Sequence, residues 1–352
     1  MRLGVLTGGS DVPGLNSVIR AVVRTAVYRY GDDVLGISHG WEGLLHPPGT
    51  WSLSPGDVMG LARRGGTILG SANRGNPFQA EGGDRSQEVF ESVRWLGLDG
   101  VVCIGGDGSL SIAQRLSQRG LNVVGIPKAV ANDMGGTEVT FGFATAVEIA
   151  TDAIDKLQTS RESQHRVMYL EVYGREAGWI ALTAGVAGGA DVILIPEFPF
   201  RRELVGAVIA RRAREGKACT IVVVAEGAHE LGQPAPDPDR LRREGGVAAR
   251  VAARVHEVEP HDYRVTVLGH LQRGGDPVAR DRVLATRLGA AAVRAAHEGR
   301  WGCMIGLRGE ELALVPLSEV VGAARRVTRG SEAVWTAGSL GTSLGVAAEE
   351  LA

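Results

Sequence analysis

Short runs of apolar, largely β-branched residues recur along the chain, each bounded by Gly or Pro: VLTGG, VVCIGGDG, VVGIP, YLEVYG, ILIPE, IVVVAEG and VTVLGH. They are continuous rather than alternating, which is the pattern of strands buried on both faces of a parallel sheet. Segments with helical spacing lie between them, among them NSVIRAVVRTAVYRY, SLSIAQRLSQRG, EIATDAIDKLQTSRESQ, RRELVGAVIARRAREG and DPVARDRVLATRLGAAAVRAAHEG. Strand–helix alternation of this kind predicts an α/β fold of two doubly wound domains with mainly parallel sheets. No repeat at a solenoid period and no linker rich in Pro or Ser is present. Two closely packed domains with a cleft are therefore expected, not two domains on a tether.

Composition narrows the function classes. A chain of 352 residues is long enough for two domains, each with its own core. With 38 basic and 40 acidic residues it has no charge excess to recruit nucleic acid or an anionic membrane. Cys103, Cys219 and Cys303 sit in apolar runs without metal-ligand spacing and read as core residues of a reducing cytosol. No apolar stretch approaches the ~20 residues of a membrane-spanning helix. The opening MRLGVLTGG is already strand-like, so no signal peptide and a cytoplasmic location are expected. Glycine, at 51 residues, is about twice its ordinary ~7% usage and clusters at strand ends, where loops carry function in such folds.

Three of these loops carry phosphate chemistry. In GGDGS, Gly105 and Gly106 permit a tight turn with close backbone approach, and Ser109 opens a helix whose free amides can bind phosphate oxygens. Asp107 can hold a divalent cation that bridges phosphates. NDMGGT places Asp133 in another loop after a strand, and LTGGSDVPGLN has Gly8 and Gly9 after the first strand and Pro13 to Asn16 before the first helix. The second half adds several arginines at strand ends, a pattern suited to a phosphate monoester because guanidinium forks donate paired hydrogen bonds and stay charged.

PKAVANDMGGTEVTFGFAT from Pro127 to Thr145, taken with IGGDGSL, resembles the catalytic core of the 6-phosphofructokinase family, whose signature there is PKTxDND or PGTxDND. LTGGSDVPGLN resembles the family's TSGGDxPGxN, QHRVMYLEVYGREAGW its HQR…EVMGRxxG, and RVTVLGHLQRGGDP its RxTxLGHxQRGGxP, in family order along almost the whole chain. The resemblance implies a nucleotide-binding domain of residues 1–142 plus 272–322 and a sugar-phosphate domain of 143–271 plus 323–352. It implies nucleotide contacts from Gly9, Ser10, Trp41, Arg74, Gly106, Gly108 and Ser109, with Mg²⁺ on Asp107. It implies fructose 6-phosphate contacts from Arg166, Tyr173, Gly174, Glu226, Arg264, His270 and Arg273, and catalytic alignment by Asp133 and Arg175. Because Arg166 and Arg264 serve a neighbouring subunit in the family, a homotetramer is implied.

The departures from the pattern matter as much. The family's catalytic base, the first Asp of DND, is Ala131 here, and the Thr two residues earlier is Ala129. Ser10 stands where a glycine contacts phosphates, and Asn73 where an Arg is usual, with Arg74 beside it. Gly108 is as in ATP-dependent members, whereas pyrophosphate-dependent members carry Asp; Lys128 is a residue that pyrophosphate enzymes use. Of the bacterial effector site, Arg20, Arg24, Asp191 and Lys217 match, while Pro55, Gln158, Glu215 and Cys219 do not. The leading reading is a family member that binds fructose 6-phosphate, with ATP or ADP, but turns over weakly or not at all, as a regulator of an active paralogue. A working ATP-dependent 6-phosphofructokinase is the alternative, and a GGDG-type kinase of NAD or lipid the third.

Overall fold

The structure is a computed structural model that describes residues 1–72, 75–160, 166–217, 219–237, 240 and 243–351. It is mixed α/β and divides into two compact units. Unit 1 comprises Met1–Val130, Met134–Thr145 and Arg273–Ala324, and unit 2 comprises Ala131–Asp133, Ala146–Gln272 and Arg325–Ala352.

Unit 1 is built on a seven-stranded sheet. Its strands in chain order are β1 (Arg2–Thr7), β2 (Asp33–Ile37), β3 (Thr50–Ser52), β4 (Gly100–Gly105), β5 (Val123–Pro127), β10 (Cys303–Arg308) and β11 (Glu311–Pro316). In space they run β11-β10-β5-β4-β1-β2-β3. The five inner strands are parallel and the two edge strands antiparallel. β4 is buried at every residue and β1 at all but its first, which is why both read as unbroken apolar runs. The edge strand β3, TWS, is short and largely exposed, which limits its use as a template for pairing with another chain. Helices α1 (Leu15–Thr25), α2 (Ser86–Trp95), α3 (Asp107–Gln118) and α8 (Ala279–His297) cover the sheet. Close packing of α1 on α8 needs Gly289, since a Cβ there would lie 2.8 Å from both the Val18 carbonyl oxygen and the Ala21 Cβ.

Unit 2 carries a four-stranded, fully parallel sheet in the order β7-β8-β6-β9. Its strands are β6 (Arg166–Val172), β7 (Val192–Leu194), β8 (Cys219–Ala225) and β9 (Tyr263–Val267). Helices α5 (Trp179–Ala187), α6 (Arg202–Arg214) and α7 (Val247–His256) connect them. β8 is buried throughout, and its Val222 and Val224 join Tyr169, Val205, Ile209, Val251 and Val255 in one core. The three cysteines are free and buried, and burial pushes the Cys103 thiol up to about 12, so it behaves as an apolar side chain. Among the described residues, no helix is long and apolar enough to cross a membrane.

One polar network in unit 1 ties two helix starts together. The buried Asp281, in the first turn of α8, accepts the Thr145 amide at 2.7 Å and the Thr145 hydroxyl at 2.5 Å, so it caps α4 (Phe143–Ser160) from another element. Thr145 Oγ1 in turn accepts the Val278 amide at 3.1 Å. Asp281→Ala is expected to cost about 1–2 kcal/mol, read as a lower urea midpoint, and Asp281→Asn less because an amide oxygen still caps. An unchanged midpoint in the alanine variant would show that the cap contributes nothing.

Candidate active site

In unit 1 the chain leaves β1 toward β2 on one side, while β4 lies on the other side of β1. Such a reversal of strand order opens a crevice at the carboxyl ends of the strands. Two glycine-rich loops leave from that point, and their backbones are fitted closely. The Gly8 amide donates to the Ile104 carbonyl at 2.9 Å, and a Cβ on Gly8 would lie 2.4 Å from Ser109 Oγ. Gly9 has φ 75 and donates to Ala72 O at 3.1 Å, a conformation glycine adopts without steric cost. Two side chains, Thr7, to which the motif reading gave no role, and Asn16, which it gave only a place before the first helix, hold the facing loop in place. Thr7 Oγ1 donates to Gly70 O at 2.7 Å, and Asn16 Nδ2 donates to the Arg64 and Gly65 carbonyls at 3.1 Å each. Asn16 Oδ1 also accepts the Ile68 amide at 3.0 Å. The sequence signal for Asn16 was a polar residue inside an apolar helix start; a fully buried amide needs this many partners.

From Gly106 the chain turns into α3, whose first-turn amides and dipole favour an anion. Asp107 and Gly108 are exposed there, and Ser109 is buried. Asp107 Oδ1 accepts the Gly322 amide at 2.9 Å. Trp41 is 3% exposed and donates its indole N–H to Ser109 O at 3.1 Å, so it supports the first turn of α3 from beneath. Among the described residues no group of three or more His, Cys, Asp or Glu side chains could hold a metal by itself. A single exposed carboxylate at a helix start is nonetheless a donor set that would suit Mg²⁺, since that ion keeps most of its waters and takes its remaining ligands from phosphate oxygens.

The exit of β5 brings up a residue of a different kind. Lys128 is 5% exposed, its amide donates to Gly105 O at 3.1 Å, and its Nζ donates to the Ser10 carbonyl. On the next residue of that loop, Asp11 O accepts from Arg273 Nη1 at 3.2 Å. Burial lowers the Lys128 ammonium to about 7; the Arg273 charge adds to this and Asp11 opposes it. Farther along, the Ala129 carbonyl accepts from Thr140 Oγ1 at 2.6 Å. Ala131 to Asp133 belong to unit 2. Ala131 is 5% exposed and ends in a methyl, which accepts no proton. Asn132 has φ 54, a left-handed geometry that Asn tolerates, and Asp133 O accepts the Arg325 amide at 2.8 Å.

In unit 2 the structure gathers Tyr173, Gly174, Arg175, Glu226 and His270 on the loops that leave the carboxyl ends of β6, β8 and β9. The Gly227 amide donates to Gly174 O at 2.9 Å, and a Cβ on Gly227 would lie 1.9 Å from the Arg175 carbonyl oxygen. This approach brings the exposed Arg175 Nε to 3.4 Å from the buried Glu226 Oε1. Gln272, fully buried, accepts the Tyr173 amide at 2.7 Å and donates to Ala146 O at 3.1 Å, which fixes the turn that carries His270. Arg166 and Arg264 are not on this edge. They lie toward the amino ends of β6 and β9, and the six residues of β6 beyond Arg166 span roughly 20 Å. There both pair with Asp262, Arg166 Nε at 2.6 Å and Arg264 Nη1 at 2.8 Å, and hydrogen bonding from Arg166 holds that carboxyl below its usual range.

The remaining expected site residues fall in both units. Arg20 and Arg24 lie on α1 in unit 1, with the Arg24 guanidinium 5.0 Å over the Tyr28 ring. Asp191 and Lys217 lie in unit 2, where Asp191 Oδ1 meets Arg212 Nη1 at 2.8 Å and Oδ2 accepts the Ile221 amide at 2.8 Å. Asn73 and Arg74 fall outside the described residues. The glycine contacts are open to test by thermal melts. Gly8→Ala is expected to lose about 1–3 kcal/mol as Ser109 is forced aside, and Gly227→Ala more, because a backbone carbonyl stands in the way. Gly108→Ala, where no described atom lies within 4 Å of a new Cβ, should stay within about 0.5 kcal/mol of the parent. Equal losses at all three positions would contradict this ranking.

Residues 2–296 match the family model described as Phosphofructokinase. The chain is similar to the ATP-dependent 6-phosphofructokinase of Chloroflexus aurantiacus, 47% identical over 98% of both chains. It is also similar to ATP-dependent 6-phosphofructokinase 2 of Clostridium perfringens, 43% identical over 97% of this chain and 98% of that one. Among solved structures, Pichia pastoris phosphofructokinase in the T-state superposes with a TM-score of 0.79 at 33% identity, over 91% of this chain and 37% of that one. The pyrophosphate-dependent phosphofructokinase of Marinobacter aquaeolei reaches 0.80 at 24% identity, over 99% of this chain and 89% of that one, and shares the fold. With the fold, the paired glycine-rich loops and these full-length relatives in hand, the chain belongs to the phosphofructokinase family.

Proposed function

We propose that this chain phosphorylates fructose 6-phosphate from ATP to give fructose 1,6-bisphosphate. The observation that carries the reading is the pair of loops at the β1/β4 crevice, where glycines let the backbone close on itself and α3 begins directly after Gly106. Relatives of near-identical length that are named ATP-dependent 6-phosphofructokinases support the choice of donor and acceptor. Gly9, Ser10, Gly106, Gly108 and Ser109 would take the nucleotide phosphates, and Asp107 would hold Mg²⁺, which supplies charge neutralisation when bound. Tyr173, Gly174, Glu226 and His270 would take the sugar, Arg273 its phosphate, and Asp133 and Arg175 the transferring phosphoryl group. Arg166 and Arg264, at the other end of the unit 2 sheet, would serve a second copy of the chain, which makes a homotetramer part of the proposal.

A second reading is favoured by one specific observation, the methyl of Ala131. Without a carboxylate there, the chain would bind both substrates and turn them over little, in keeping with a regulatory role. A positioned base contributes ~10²–10⁴-fold, so the two readings differ in rate more than in binding. A coupled assay with ATP, Mg²⁺ and fructose 6-phosphate, beside calorimetry of each ligand, separates them. Bisphosphate formed with ATP and not with pyrophosphate supports the first; heats of binding without detectable product support the second. Glu226→Gln is expected to raise the KM or Kd for fructose 6-phosphate about tenfold or more, the worth of a charge-assisted hydrogen bond of ~1.5–3 kcal/mol, while leaving ATP affinity unchanged. An unaltered sugar affinity would remove Glu226 from the site.

A further inference from the structure

Transfer of a phosphoryl group to a hydroxyl needs somewhere for the hydroxyl proton to go, and at position 131 there is only a methyl. Three residues earlier, at the mouth of β5, stands a titratable side chain that the proposed reaction has not yet used. Lys128 is 5% exposed, and its backbone amide is tied to Gly105 O at the end of β4. Its Nζ lies on the carbonyl of Ser10, within the same glycine-rich loop that would cradle the nucleotide phosphates. If that loop takes the nucleotide phosphates as proposed, Nζ would stand beside them, and the attacking hydroxyl must approach the terminal phosphorus to ~3–3.5 Å.

We propose that Lys128, as the free amine, accepts the proton of the attacking sugar hydroxyl in this chain. The inference rests on the reading of the chain as a fructose 6-phosphate kinase. The hydroxyl oxygen forms its bond to the terminal phosphorus as the bond from that phosphorus to the bridging oxygen breaks. The bond pair leaves on ADP, and the hydroxyl proton passes to the Nζ lone pair, giving an ammonium that returns its proton to water after product release. One N–H stays on the Ser10 carbonyl and turns the lone pair away from it. The electrostatics agree with an amine that is neutral for part of the population at neutral pH. Burial lowers its proton affinity to about 7, Arg273 pushes the same way, and Asp11 and Cys103 push against it. A lysine with a full positive charge would instead bind phosphate and take no proton, so the two roles have opposite pH signatures.

The experiment is a pH–rate profile of the unmodified chain and four variants, with saturating ATP and Mg²⁺. The unmodified chain is expected to gain kcat/KM as pH rises through about 7. Lys128→Met should lose ~10²–10⁴-fold in kcat and the rising limb with it, and Lys128→Arg, which keeps a charge it cannot release, should do no better. Ala131→Asp, alone or combined with Lys128→Met, should turn over without the limb, because a carboxylate is already ionised there. A readout independent of turnover comes from stability. With a folded value near 7 and an unfolded one near 10.4, the unfolded chain binds more protons between those values, so stability rises with pH across that window. The melting temperature of the unmodified chain relative to Lys128→Met should therefore climb between pH 7 and 10. A flat or falling rate profile, activity retained in Lys128→Arg, or no relative climb in melting temperature would overturn the proposal. Failure of the kinase reading looks different: no turnover by the unmodified chain or by Ala131→Asp at any pH would overturn both. Turnover restored by Ala131→Asp alone, with a silent parent, would overturn Lys128 as the base and leave the kinase family reading standing.

Discussion

The approach of the β1 exit to the first turn of α3 is the constraint on which the rest of unit 1 depends. Gly8 sits where any Cβ would collide with Ser109, and its amide is bonded to β4. With that contact in place, the indole of Trp41 can reach the Ser109 carbonyl, and Thr7 and Asn16 can fasten the loops on either side. Each bond satisfies a buried polar group that would otherwise cost about 1–3 kcal/mol. What results is a surface of backbone amides and short side chains at the end of a parallel sheet, held before any ligand arrives. Such preorganisation is what phosphoryl transfer draws on most, since the reaction needs alignment and charge neutralisation more than covalent help.

Unit 2 solves a different problem, the placement of charge on a well-packed scaffold. Glu226 is buried at the end of β8 and lies opposite the exposed Arg175, with the two loops pressed together over Gly227. Glu171, also buried, accepts the Ala248 amide at 2.8 Å and so caps α7 from within the sheet. Gln272 serves both a neighbouring amide and a neighbouring carbonyl. Buried polar groups persist when their partners are built into the backbone around them, and here nearly every such partner is a main-chain amide or carbonyl at the end of an element. By contrast Arg166, Asp262 and Arg264 form an exposed cluster, where solvent weakens the pairing and leaves the guanidiniums exchangeable.

Much was legible in the sequence. Apolar runs without alternation predicted buried parallel strands, and they are β1, β4, β5, β6, β7 and β8, whereas the run VTVLGH belongs to β9, an edge strand that is only partly buried; glycine at the ends of several of these runs marked the loops that carry the candidate site. Asp107 was visible as a charged residue in a glycine-rich turn after a strand, while Arg175 and Glu226 came only from the resemblance of their segments to the family motifs. The bonds made by Asn16, Thr7 and Gln272 were not visible, since they reach carbonyls and amides 48, 63 and 99 residues away in the chain. The separation of Arg166 and Arg264 from the other sugar-side residues was equally hidden, because a motif records order along the chain and not the two ends of a strand.

Sequence by itself determined the class of fold, the family and the chemical types at each position, including the absence of a carboxylate at Ala131, because these depend on local periodicity and on which atoms a side chain contains. Tertiary structure alone decided the environment of those atoms. The same lysine is an exposed, permanently charged group on one surface and a buried, titratable amine behind the exits of two strands. Its proton affinity is set by desolvation and by the Arg273 charge brought near by folding, neither of which is a property of its neighbours in sequence.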